Sequence, residues 1–235
     1  RGRHHFYNPW IIPAWVPLQP RNLPMMEQRR RVLSAMGLSL GPIRFELKVP
    51  DPDRAWAAAK VPGRCIHLSP SASHALKEWP MEHWCALLPK LAGRPGLPIV
   101  ATGDGSPRER ERLQRLSRVA GAGVTVFEER LSLARLAALL ERSSLHVGAD
   151  SGVTHLAAAL GVRTVTAYRE YEGRIEWSPP GPGHRQCVVD CACAASRQPI
   201  PECQEAQRSA CLARITPMQL LAACEEALRS PGAPG

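Results

Sequence analysis

A chain of 235 residues that is 44% hydrophobic can bury a large core as one domain or as one and a half smaller ones. It has no apolar run of about 18 residues, so no membrane-crossing helix is expected. The net charge of +9 suits an anionic small molecule or a membrane surface; nucleic acid is not expected, because the arginines are scattered among Ala, Pro and Leu without interleaved aromatic residues to stack bases.

No signal-peptide pattern opens the chain, which starts at Arg1. Residues 6–24, "FYNPWIIPAWVPLQPRNLP", carry five prolines among bulky apolar residues and read as a loop, since proline lacks an N–H and fixes φ. "MMEQRRRVLSAMGL" then places Met26, Arg29 or Arg30, Leu33 and Met36 at helical spacing, with Gly37 as the stop. Pro42, Pro50, Pro52 and Pro62 punctuate the next stretch, which predicts a linker over 49–63.

From residue 64 the pattern is regular. Strands are predicted at "RCIHLS", "LPIVAT", "GVTVF", "SLHVGA" and "VRTVTAY", with helices over 81–92, 106–120, 132–142 and 152–160 between or after them. Such alternation predicts α/β architecture, a Rossmann-like doubly wound parallel sheet with helices on both faces, because parallel neighbours need a crossover. Ligands of such sheets sit at the carboxyl ends of the strands.

Three loops are expected at that edge. In "GADSGVTHLAAALG", residues 148–161, Asp150 or Ser151 can cap a helix closed by Gly161, and Gly152 keeps bulk away from N–H groups that suit a phosphate. His155 lies one turn in, with Leu156, Ala159 and Leu160 expected to face the sheet; an ordinary capped helix with a packed histidine fits the same spacing. Over "SPSASHALKEWP", Ser69, Ser71 and Ser73 offer hydroxyls and backbone donors and Lys77 a compact cation for a diphosphate, or simply a solvated side chain. In "ATGDGSPRERERL", Gly103, Asp104 and Gly105 precede Glu109, which suits a ribose hydroxyl or, more simply, a neighbouring arginine.

The segments "LSPSASHALKEWPMEHWCALLPKL", "IVATGDGSPRERERL" and "LSLARLAALLERSSLHVGADSGVTHLAAALG" together resemble the nucleotide-sugar half of glycosyltransferase family 9, the ADP-heptose:lipopolysaccharide heptosyltransferases, over roughly residues 64–228. The resemblance implies the C-terminal domain of a GT-B fold (64–235), preceded by a remnant of the acceptor domain (1–48). It implies donor-binding roles for Ser71, Ser73, Lys77, Glu109, Asp150, Ser151, Gly152, Val153 and His155, with Lys77 on the phosphates. It further implies heptose transfer from ADP-heptose, with inversion and without a cofactor, to a lipid-linked oligosaccharide, the lipopolysaccharide core, in the cytoplasm or at the cytoplasmic face of the inner membrane. The family's opening strand and its aspartate-bearing glycine loop, the proposed general base, have no match here. After "VRTVTAY" the usual Phe-Gly-Pro turn is replaced by "REYEGRIEWSPPGPG". The expectation is therefore an N-terminally truncated, donor-binding half with no catalytic residue identified; a noncatalytic nucleotide-sugar-binding remnant is the alternative, and a basic nucleic-acid module a weaker one.

Cys187, Cys191, Cys193, Cys203 and Cys211 cluster in an excursion over 187–211 without the C-x-x-C pairs of zinc ribbons, so they are weak metal candidates and read as structural. Cys65, Cys85 and Cys224 fall in strand or helix patterns and read as core. "TPMQLLAACEEALRS" predicts a closing helix capped by Thr216, with Pro217 first and Leu220, Leu221, Cys224 and Leu228 as its apolar stripe.

Overall fold

The computed structural model describes residues 22–41, 45–93, 97–121, 123–171, 173–192 and 201–229. Helices α1 (Met25–Ala35) and α2 (Asp51–Lys60) precede the sheet. There follow β1 (Cys65–Ser69), α3 (Met81–Ala92), β2 (Ile99–Thr102), α4 (Pro107–Val119), β3 (Val124–Phe127), α5 (Leu133–Glu141), β4 (Ser143–Gly148), α6 (Gly152–Ala159) and β5 (Thr164–Arg169). The chain continues through α7 (Arg174–Trp177), β6 (His184–Val189), α8 (Pro201–Glu205) and α9 (Pro217–Arg229). Most of the loop expected over 6–24 lies outside the described residues.

All strand pairings are parallel, in the order β3-β2-β1-β4-β5-β6, as the alternation predicts. One face carries Ile66, Leu68, Ile99, Leu145 and Val165, buried under α3, α4 and α9. The other carries Cys65 and Val100 under α2 and α5, with α6 beside them. Helices on both faces explain why β1 is buried along its whole length.

The predicted linker is different in structure: residues 51–60 form α2. Pro50 takes its N-cap position and Pro52 its first turn, where the missing N–H is no loss, and Asp51 and Asp53 favour that end. Ala57 is fully buried between Val49, Val61 and α5, and Arg54 makes two bonds to Glu141, at 2.8 and 2.9 Å. Prolines near a helix start mimic a linker in composition.

Two further corrections concern faces and strands. In α6 the fully buried residues are Thr154 and Ala157, with Leu156 and Leu160 only partly covered, while Ala159 borders an open apolar cavity. The start of the cysteine excursion is strand β6, an edge strand paired with β5, so Cys187 is a sheet residue.

Helix α9 begins with a capping box. The Gln219 N–H donates to Thr216 Oγ1 at 3.2 Å, and the Thr216 N–H donates to Gln219 Oε1 at 2.8 Å. Thr216→Ala is expected to cost about 1 kcal/mol and to lower Tm by about 2–4 °C in thermal unfolding; an unchanged Tm would show that the box contributes nothing.

Candidate functional site

Strand order reverses direction between β1 and β4, and the loops after these two strands form the walls of the crevice at that switch point. The first loop carries Lys77 at the end of a short 3-10 helix, Ala75–Lys77. The second carries Asp150, directly after β4. Lys77 Nζ lies 2.9 Å from Asp150 Oδ2, so an ion pair bridges the crevice.

Asp150 is buried and is the hub of the site. Tyr168, near the end of β5, donates its hydroxyl to Asp150 Oδ1 at 3.1 Å. Burial raises the Tyr168 pKa, and the adjacent Asp150 charge raises it further. Tyr171 also reaches Asp150, and burial, reinforced by that carboxylate, pushes its pKa up to about 12. His155, half-buried one turn into α6, is lowered by burial; Asp150 opposes this and Lys77 adds to it. The lowered value keeps the imidazole neutral near pH 7, as a hydrogen-bonding group rather than a cation.

Ser151 occupies the N-cap position of α6 but makes no cap bond, contrary to one of the two capping options. Its buried Oγ has no hydrogen-bond partner among the described residues, and the same holds for Ser71 Oγ across the crevice. Buried hydroxyls are normally paired, and here two unpaired ones lie on the two loops that Lys77 and Asp150 join. A Cβ on Gly152 would meet nothing within 4 Å, so the first turn of α6 opens onto free space. Its early N–H groups, including that of Val153, have no intrahelical acceptor and attract anions. Ser73 is exposed on the first loop.

Glu109 does not pair with a neighbouring arginine in place of a ligand. It turns inward and accepts the Asp104 N–H at 2.6 Å, bracing the loop after β2, and burial raises its pKa. Gly103 makes this approach possible, because a Cβ there would lie 2.8 Å from Glu109 Oε2.

Residues outside the sequence-based set hold the first loop in place. Glu78, buried, accepts the Ala72 N–H at 3.1 Å and faces Arg108 at 3.0 Å and Arg112 at 3.3 Å. Arg108 donates to the Ala72 carbonyl at 2.7 Å and Arg112 to that of Pro70 at 3.0 Å. The acid of "LKEWP" and the arginines of "PRERERL" were the available signal, hidden by the many other charges of that helix.

Of the cysteines, Cys191, Cys203 and Cys211 line one cavity of about 500 Å³, whereas Cys187 Sγ faces the Gln219 carbonyl at 3.9 Å on α9. Cys193 lies outside the described residues. Among the described residues, no cluster of three potential ligands has metal-binding geometry. Likewise, no described helix is long and apolar enough to cross a membrane.

A doubly wound sheet with an ion-paired, anion-ready crevice at its switch point is the ligand-binding architecture of Rossmann-type domains. A sequence profile of glycosyltransferase family 9 (heptosyltransferase) matches residues 14–204, and the chain belongs to that family. It is 36% identical over 92 residues to lipopolysaccharide heptosyltransferase 1 of Escherichia coli K12, an alignment covering 39% of this chain and 28% of the relative. The fold is similar to that of E. coli ADP-heptose lipopolysaccharide heptosyltransferase II, with a TM-score of 0.67 at 19% identity, over 90% of this chain and 64% of that one. It is also similar to E. coli heptosyltransferase WaaC with ADP-2-deoxy-2-fluoro heptose, with a TM-score of 0.59 at 24% identity, over 86% and 55%. The chain thus spans less than two thirds of each of these relatives' own length.

Proposed function

We propose that this chain supplies the donor-binding half of a heptosyltransferase-type glycosyltransferase. Residues 64–235 form its Rossmann-like donor domain, 1–48 belong to the acceptor side, and the donor is a nucleotide sugar, ADP-heptose in the first instance. The reaction is inverting transfer of heptose to a lipopolysaccharide core acceptor, without a cofactor, in the cytoplasm or at the cytoplasmic face of the inner membrane. The observation that supports this reading best is the Lys77–Asp150 pair across the switch point, flanked by the unpartnered buried hydroxyls of Ser71 and Ser151.

The chemistry follows from charge. As the sugar–diphosphate bond breaks, negative charge grows on the departing nucleotide, and a group that binds that charge more tightly than the ground state lowers the barrier. Lys77 moves from Asp150 to the diphosphate, and the first-turn N–H groups of α6 at Gly152 and Val153 add fixed partial positive charge. Asp150, released from Lys77 but still held by Tyr168, accepts hydroxyls of the sugar. Ser71, Ser73, Ser151 and His155 complete the polar lining, and Glu109 keeps the loop after β2 in register. Deprotonation of the acceptor is assigned to no residue of this chain.

Calorimetry with ADP, UDP, GDP and ADP-heptose tests the reading. Adenine nucleotides are expected to bind preferentially; Lys77→Ala is expected to weaken both ADP and ADP-heptose by about tenfold or more, and Asp150→Ala to weaken ADP-heptose by a similar factor while sparing ADP, the scale of one lost charged contact. Absence of binding to any of the four by the folded chain would overturn the donor-binding reading. Steeply salt-dependent binding to short RNA or DNA would replace this reading with a nucleic-acid module.

A further inference from the structure

Two histidines are buried where parallel strands usually place aliphatic side chains. His67 of β1 and His146 of β4 are both fully inaccessible, their rings stacked with centroids 5.1 Å apart. Their Nδ1 atoms are 2.9 Å apart. At the outer ends, His67 Nε2 lies 3.0 Å from Thr102 Oγ1, and His146 Nε2 lies 3.1 Å from Thr154 Oγ1. The Thr154 hydroxyl donates to the Ala149 carbonyl at 2.8 Å.

The direction of every proton follows. The one hydroxyl hydrogen of Thr154 goes to Ala149, because a carbonyl only accepts, so Thr154 Oγ1 must accept from His146 Nε2–H. Burial holds both rings neutral, so His146 Nδ1 then carries no proton and is the acceptor in the 2.9 Å contact. His67 Nδ1–H is therefore the donor, its Nε2 is bare, and Thr102 donates to it. One polarity satisfies all the groups, and reversing any link leaves a buried polar atom unpaired.

The sequence makes room for this chain of bonds. Gly148 has an ordinary φ, yet a Cβ there would lie 2.6 Å from His146 Nε2 and 3.3 Å from Thr154 Oγ1. The bonded chain starts at the end of β2, beside the loop held by Glu109, crosses β1 and β4, and ends on the carbonyl of the residue before Asp150. It thereby connects the end of β2, through the middle of β1 and β4, to the base of α6.

The geometry points to a positioning role: His67 and His146 form a proton-ordered relay of hydrogen bonds that fixes the Asp150–Gly152 loop on the sheet. Their importance for the donor rests on the function proposed above; their effect on the loop does not. Thr154 is the link to test, since serine keeps its hydroxyl and valine keeps its shape.

In protein labelled with 15N-histidine, one buried ring is expected in the Nδ1–H form and another in the Nε2–H form, with a 15N–15N coupling across the Nδ1–Nδ1 contact. Thr154→Val is expected to speed exchange of the residue-154 amide, which donates to the Ser151 carbonyl at 3.2 Å, and to weaken ADP binding by about tenfold; Thr154→Ser is expected to restore both. Absence of the coupling would remove the relay, and a Thr154→Val protein with wild-type exchange would remove its hold on the loop. If the coupling and the exchange response are present while wild-type protein binds no ADP, the relay stands and the donor reading falls.

Discussion

Replacing Trp79 by alanine is expected to remove about 3–5 kcal/mol of stability, the range for deleting a fully buried large aromatic ring. Trp79 has no exposed surface. It packs edge-on against Trp84, with centroids 5.1 Å apart and planes at 85°, and edge-on against His83 at 5.2 Å. Its Nε1–H donates to the Ile215 carbonyl at 2.9 Å, tying the loop after β1 to the segment before α9. A domain has only about 5–15 kcal/mol in total, so Trp79→Ala is expected to unfold about 10 °C or more below wild type. Trp79→Phe keeps a ring but strands the carbonyl, and about 1–2 kcal/mol is expected for it. Urea unfolding separates the two variants; a Trp79→Ala loss below about 1 kcal/mol would mean that the cavity closes by collapse.

The second large effect belongs to Glu78. Burial pushes the Arg112 pKa down, and Glu78 is the leading opposing influence. Glu78→Gln keeps the shape and one acceptor for the Ala72 N–H but leaves the Arg112 guanidinium, with only 16% of its side chain exposed, without its counter-charge. Removing one partner of a buried pair costs about 3–5 kcal/mol; some residual exposure moderates this, and about 2–4 is expected here. Arg108 touches the same carboxylate, but its side chain is 46% exposed, so Arg108→Ala is expected to cost below about 1 kcal/mol. Equal losses in Glu78→Gln and Arg108→Ala would contradict this ordering. Because Glu78 holds Ala72, its loss also loosens the loop that carries Lys77, and nucleotide affinity is expected to fall with stability.

The sequence is legible where one local rule decides. The helix over 81–92 has the predicted bounds because its periodic Trp84, Leu87, Leu88 and Leu91 face one side. The Lys77 and Asp150 loops are recognisable because every βα loop of a parallel sheet opens on the same edge. Strand β6 is not, since "HRQCVV" is partly exposed and lies among prolines and glycines. The partnership of Glu78 with Arg112 and that of His67 with His146 have no local signature either. Both arise only after folding, from strand and helix neighbours distant in sequence. For the same reason, the inward face of α6 shifts to Thr154 and Ala157: the histidine beneath selects the threonine, and the apolar pattern alone does not.

The strand order has a kinetic consequence. Strands β1, β2 and β3 pair among themselves, as do β4, β5 and β6, and only the β1–β4 ladder joins the two sets. Its paired residues His67 and His146 are 79 apart in sequence, so the entropy of closing that long loop must be met before its contacts contribute. Lys77 belongs to the first set and Asp150 to the second. A fragment containing either set therefore holds half a crevice, and a ligand that grips both loops bridges the one ladder that joins the two sets, stabilising the folded chain according to its occupancy.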